Sequence, residues 1–291
     1  MRTLHPATAS ALLAACFLLP TKGALAWGDE GHRVIALIAD HYLEPAAKQK
    51  VSAILATDSE VASHDIAGAS VWATAPDNLA GHEDWHVVKL ALTHPDIDTA
   101  CGGHPALPAG TVASKGPAAA CSLDKIEQFS KELANKATAP AEKLVALKYL
   151  LSLVADLHQP IYVSDDGNRG GEGTKVVGGG ADPGTLRHYW DSDFIDNLGD
   201  DPKAIADDLA DGVRQSKTFD HMSAGTPVDW TKEAFALAKG TAYGKLPAKK
   251  PDGSYELPPD YVTSAIETIR VQMARAGVRL ATIINRALAG S

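Results

Sequence analysis

Ala139-Pro140-Ala141-Glu142-Lys143-Leu144-Val145-Ala146-Leu147-Lys148-Tyr149-Leu150-Leu151-Ser152-Leu153-Val154-Ala155-Asp156-Leu157-His158 is the most strongly helical stretch of this chain. Its apolar residues fit a 3.6-residue period, Pro140 suits a first helical turn, and Gln159-Pro160 closes the segment. One residue is out of place. Asp156 lies near the C-terminal end, among Leu150, Leu151, Leu153, Val154 and Leu157. A helix dipole disfavours an anion there, and burying an unpaired carboxylate is costly. A cation must compensate it, and a metal or an arginine would serve equally.

The helical pattern extends outward from this segment. Asp29 to Tyr42 carries Val34, Ile35, Ile38 and Tyr42 on one face, and Pro45 opens a second helix to about Thr57. Ser122, as a cap, starts another running to Ala137. More follow at about 185–197, 202–217, 229–242 and 259–288. Trp85 to Leu92 is a short apolar stretch of undecided type. Thr93 to Ala120 and Ser164 to Pro183 read as loops, the second with Gly170-Gly171, Gly173 and Gly178-Gly179-Gly180. No segment alternates as a strand should, and no repeat or domain boundary appears. The expected fold is all-α, one helical domain over residues 27–291 with long Gly/Pro-rich loops.

The chain has 291 residues, 45% hydrophobic and 22% charged, a globular composition. With a formal net charge of -9 the chain gains little from general phosphate attraction. A nucleic-acid ligand would need local metals or a local basic patch. Eleven histidines make metal binding the first chemistry to test.

Residues 1–26 read as a signal peptide: Arg2, an apolar run from Ala9 to Pro20, then the small-x-small site Ala24-Leu25-Ala26. The run is too short for a stable membrane anchor, so Trp27 becomes the mature N-terminus of a periplasmic or secreted protein. Two alternatives are an uncleaved anchor and lipid attachment at Cys16, since Leu13-Ala14-Ala15-Cys16 resembles a lipoprotein box. The apolar run continues past Cys16, which weighs against the lipid. Cleavage leaves Cys101 and Cys121, either a disulfide that orders a Gly/Pro-rich loop or two free thiols.

Several segments could carry chemistry. A free amine on Trp27 would titrate low enough to bind a metal, and His32 lies one to two helical turns away. Trp85-His86-Val87-Val88 sets a histidine in apolar surroundings. Arg187 and Asp191 are spaced i, i+4, which by itself reads as an ordinary helix salt bridge.

Taken in order, Trp27-Gly28-x-x-Gly31-His32, Trp85-His86, Asp156-x-x-Gln159-Pro160, Asn168-Arg169-Gly170-Gly171 and Leu186-x-x-Tyr189-Trp190-Asp191 form a set. This set resembles the zinc-dependent single-strand nucleases of the S1/P1 type, within the phospholipase C/nuclease superfamily. The resemblance covers nearly the whole mature chain. It implies a helical fold, up to three zinc ions in one cleft, and hydrolysis of phosphodiester bonds in single-stranded DNA or RNA. A monomer without stable membrane association is expected.

Carried over by position, Trp27 (amine and carbonyl), His32 and Asp156 complete one zinc site. His86 and Asp156 supply two ligands of a second, whose further carboxylate is assigned to Asp77, although Thr74 lies nearer the family spacing. Asp77 and Asp156 are thus the carboxylates of the reacting centre. The third site keeps only Asp191. Ser152, Tyr162 and Arg187 stand where the family has histidines, and His188 lies one residue off. Serine and tyrosine are poor zinc ligands and arginine repels a metal, so fewer than three zincs are expected. Arg187 could instead pair with Asp191 or hold a substrate phosphate. Two competing readings are a catalytically impaired relative that binds nucleotide or phosphate ligands, and a phospholipase C relative. The Asn168-Arg169-Gly170-Gly171 loop and the want of a membrane-docking module favour the nuclease branch.

Overall fold

The structure is a computed structural model that describes residues 27–290. The expected signal peptide and the Cys16 alternative lie outside the described residues.

The C-terminal helix Pro259–Leu288 is the spine. The helices Gly28–Tyr42, Ser122–Ala134, Pro140–Leu157 and Phe219–Ser223 all pack on it. The closest crossing is with the first helix, at Gly277, where a Cβ would come within 2.4 Å of Ile38 Cγ2. A glycine is required there. Pro202–Ser216 covers the outer face of Gly28–Tyr42, and Pro45–Leu55 packs near the spine. One hydrophobic core runs through these elements, from Trp27 to Leu288.

The decisive helix forms over Pro140–Leu157, with Pro in its first turn. Every residue from Ala146 to Leu157 is buried. Its sides face the Ser122–Ala134 helix, the spine and the short Ile66–Ser70 helix. It is therefore a central helix with no solvent face along most of its length, as its near-continuous apolar run requires.

Other expectations need correction. The Ser122–Ala134 helix is capped by Cys121 rather than Ser122, and Asp124 closes a capping box onto the Cys121 backbone. Both predicted loops contain structure. The first holds a turn of helix at Ile97–Ala100, the second the strands Lys175–Gly178 and Ala181–Thr185. These two pair antiparallel, and Lys175–Gly178 also pairs parallel with Tyr255–Leu257. A two-residue parallel bridge joins Leu90–Ala91 to Ser164–Asp165. The predicted helix at 185–197 is interrupted by a π-turn, Tyr189–Asp193. The fold remains all-α in class, its strands short and peripheral.

Candidate metal centre

The site is built where the first helix, the central helix and the segment after Trp85 meet. Trp27 is wholly buried, and its indole Nε1 donates to the carbonyl of Ala155 at 2.7 Å. This bond fixes the expected mature N-terminus beside Asp156. Trp27 adopts φ 60°, and its carbonyl accepts from Gly31 N at 2.9 Å to start the first helix.

Asp156 is fully buried, and its compensating partners are two imidazoles rather than an arginine. His32 Nε2 lies 3.1 Å from Oδ1, and His86 Nδ1 lies 2.6 Å from Oδ2. Ser152, one turn back, places Oγ 3.4 Å from both His32 Nε2 and Asp156 Oδ2. Each carboxylate oxygen therefore faces a different imidazole, the disposition of a shared ligand. Burial pushes the Asp156 carboxyl upward, but His86 and His32 outweigh it and hold the group below its ordinary value. Burial pushes the His32 imidazole down, yet the bond to Asp156 and its charge leave it raised.

The hydrogen bonding of His32 decides what fits here. Nδ1 lies 2.8 Å from the carbonyl of Gly28, so Nδ1 carries a proton and donates it. Nε2 then presents a lone pair to Asp156 Oδ1, acceptor facing acceptor, unless a proton or a metal lies between them. A backbone carbonyl that fixes the far nitrogen is the usual support of a metal-binding histidine. His86 Nε2 is buried with no hydrogen-bond partner. Two imidazole nitrogens converging on the two oxygens of one carboxylate fit zinc.

The neighbouring group does not fit a metal. Asp191 is buried, and Gln159 Nε2 and the Tyr162 hydroxyl donate toward its two oxygens at 3.4 and 3.5 Å. The Arg187 guanidinium lies over the Tyr162 ring, 4.4 Å from its centroid. Burial drives the Asp191 carboxyl well above its usual range, against the pull of Arg187. A phenol, a guanidinium and one carboxylate do not make a zinc site.

Asp77 stays outside both groups, exposed in the first turn of the short Pro76–Leu79 helix. Thr74 is buried, with its hydroxyl donating to Val71 O at 3.0 Å. His188 is exposed and pairs with Asp193 at 3.6 Å, away from Asp156. Gln159 was legible only as part of a motif. Its Nε2 donates to Trp190 O at 3.0 Å, tying the end of the central helix to the π-turn.

Another set of donor atoms, from Cys101, His104, Cys121 and Asp124, lies within 4.8 Å of one another. A disulfide joins Cys101 to Cys121, as one of the two sequence alternatives has it, and removes both sulfurs as ligands. His104 Nδ1 is already bound to Asp124 at 2.6 Å. This cluster is a loop staple.

The sequence model of the S1/P1 nuclease family matches residues 27–289, beginning at Trp27. The chain belongs to the S1/P1 nuclease family. It is 26% identical over 278 residues to Endonuclease 2 of Arabidopsis thaliana, covering 89% of this chain and 90% of that protein. It is 24% identical over 285 residues to Nuclease P1 of Penicillium citrinum, covering 89% and 97% respectively. Nuclease S1 of Aspergillus oryzae is 26% identical over 176 residues, 58% of this chain and 54% of that protein. These relatives carry nuclease names, which favours the nuclease over the phospholipase branch for this S1/P1 family member. No helix among the described residues is long and apolar enough to cross a membrane.

Proposed function

We propose that this chain is an exported zinc-dependent nuclease that cleaves phosphodiester bonds of single-stranded DNA or RNA with fewer than three zinc ions. The observation that supports it most is the Asp156 carboxylate held between His32 and His86, with the far nitrogen of His32 committed to Gly28.

His32 Nε2, Asp156 and His86 would hold metal, and the amine of Trp27 joins them once signal cleavage frees it. Asp77 enters the reading only as the carboxylate that Thr74 cannot supply. Bound zinc would lower the pKa of a water and make it a nucleophile near neutral pH. Gly28 O fixes the His32 tautomer, and the Trp27 indole keeps the N-terminus seated against the Pro140–Leu157 helix. Asp156 shares its two oxygens between the imidazoles, so its charge serves both. With a net charge of -9, substrate affinity must come from local groups at this site rather than from the whole surface. Free bases of a single strand can stack on aromatic side chains, which favours that substrate over a duplex.

The second reading, an impaired relative that binds nucleotides, draws on Tyr162 and Arg187, which occupy one part of the cleft without metal ligands. Digestion of a labelled single-stranded oligonucleotide separates the two. Cleavage that stops with EDTA and returns with zinc supports the nuclease. Binding without cleavage at any zinc concentration supports the second reading.

A further inference from the structure

Arg187 carries its charge in an unusual setting. Its backbone N–H donates to Gly171 O at 3.4 Å, and the preceding Leu186 N–H donates to Thr174 O at 2.8 Å. The Gly170-Gly171 turn closes over it with φ of 60° and 78°. A Cβ on Gly170 would lie 3.4 Å from Arg187 Nη2, and one on Gly171 would lie 3.2 Å from Arg187 N. The glycines thus leave the room that the arginine occupies. On its other side the guanidinium lies over the Tyr162 ring, its carbon 4.4 Å from the centroid.

Its hydrogen-bond donors are not used up. Nε is buried without a partner. The i, i+4 salt bridge to Asp191 does not form, although the spacing suits it. The π-turn at Tyr189–Asp193 widens the helix at this point, and the ion pair that forms is His188 with Asp193, five residues apart. Asp191 instead accepts from Gln159 and Tyr162. Burial works against the charge, and the neighbouring Tyr162, Asp191, Glu172 and Tyr243 outweigh it, yet none of them takes the Nε proton, which is left for a ligand. The planar guanidinium fork matches two oxygens of a phosphate.

We infer that Arg187, held over Tyr162 beside the Gly170-Gly171 turn, is a metal-independent binding site for a phosphate group of the substrate. The inference rests on the nuclease reading for the substrate's identity and goes beyond it in assigning a fixed cation to a position that offers no metal site. Tyr162 connects the two groups of side chains. Its backbone carbonyl accepts from Val88 N at 3.0 Å, two residues after His86, while its ring carries Arg187. A phosphate on Arg187 therefore sits beside the His86 segment.

Calorimetric titration of EDTA-treated protein with inorganic phosphate, and with a short phosphorothioate single strand, tests this. Wild type binds both without metal. Arg187→Gln weakens both about tenfold or more, as expected for loss of a charge-assisted pair of bonds. Arg187→Lys, which keeps the charge but not the fork, falls between the two. Circular dichroism confirms that the variants fold. An EDTA-treated wild type that takes up neither probe, or an Arg187→Gln affinity within twofold of wild type for either, overturns the inference. The nuclease reading fails separately, by absence of cleavage with zinc restored while Arg187-dependent binding persists.

Discussion

At the scale of single residues, Asp156 shows how far sequence reasoning reaches. A carboxylate at the C-terminal end of an apolar helix is conspicuous, and the need for a positive partner follows from electrostatics alone. Which partner it finds does not follow, because His32 and His86 lie 124 and 70 residues away in the chain. The Arg187 stack on Tyr162 was equally hidden, since spacing pointed to a salt bridge that the π-turn prevents. Ser152 gives a direct test. Its Oγ lies 3.4 Å from both His32 and Asp156, so Ser152→His would bring a third imidazole to this centre. The site is fully buried, and the extra volume should cost about 1–3 kcal/mol in the metal-free protein. The expected outcome is a lower melting temperature without zinc and a larger rise on adding it than in wild type, measured by calorimetry. Lys125 is a second case. Its Nζ lies 3.8 Å above the Trp85 ring, and burial lowers its pKa to about 8. The unfolded chain, with an ordinary lysine, binds more protons between that value and about 10.4, so stability rises with pH in this window. Denaturant unfolding at several pH values should show wild type gaining on Lys125→Met by up to ~1.4 kcal/mol per pH unit above 8. A difference independent of pH would contradict it.

Among the elements, the long helices were legible because their apolar period repeats over three or more turns. The sheet was not. Ala181-Asp182-Pro183-Gly184-Thr185 has no alternation to read, and its neighbour Lys175–Gly178 takes its other partner from Tyr255–Leu257, about eighty residues on. Backbone pairing at that distance leaves no local trace. The loop of residues 101–121 was read correctly as long and glycine-rich. What orders it is a combination of the disulfide, the His104–Asp124 pair and Lys125, whose ammonium donates to Ala113 O. Closing a loop with a sequence separation of 20 is worth roughly 3 kcal/mol by chain entropy. Cys101→Ser should lower unfolding free energy by about that amount in urea, and reductant should do the same to wild type. Since the disulfide lies outside the Asp156 centre, zinc content should be unchanged; loss of zinc in Cys101→Ser would show that the loop supports the site after all.

At the scale of the molecule, the family and the all-helical class were legible from an ordered set of short motifs, each weak alone. The structure adds that the indole of the expected mature N-terminal residue is bound to the carbonyl of Ala155, next in sequence to Asp156. Extending the mature chain by one residue before Trp27 displaces the amine but leaves the indole in place. That variant should fold with an unchanged circular dichroism spectrum and lose one zinc. An unchanged metal content would remove Trp27 from the ligand set. The proposed nuclease centre retains zinc at His32, His86 and Asp156 and has given up a metal where Arg187 and Tyr162 stand. Mass spectrometric metal analysis of the purified protein starting at Trp27, after dialysis against excess zinc, tests it most directly. At least one and fewer than three zinc ions per chain are expected. Three ions per chain, or none, would contradict it.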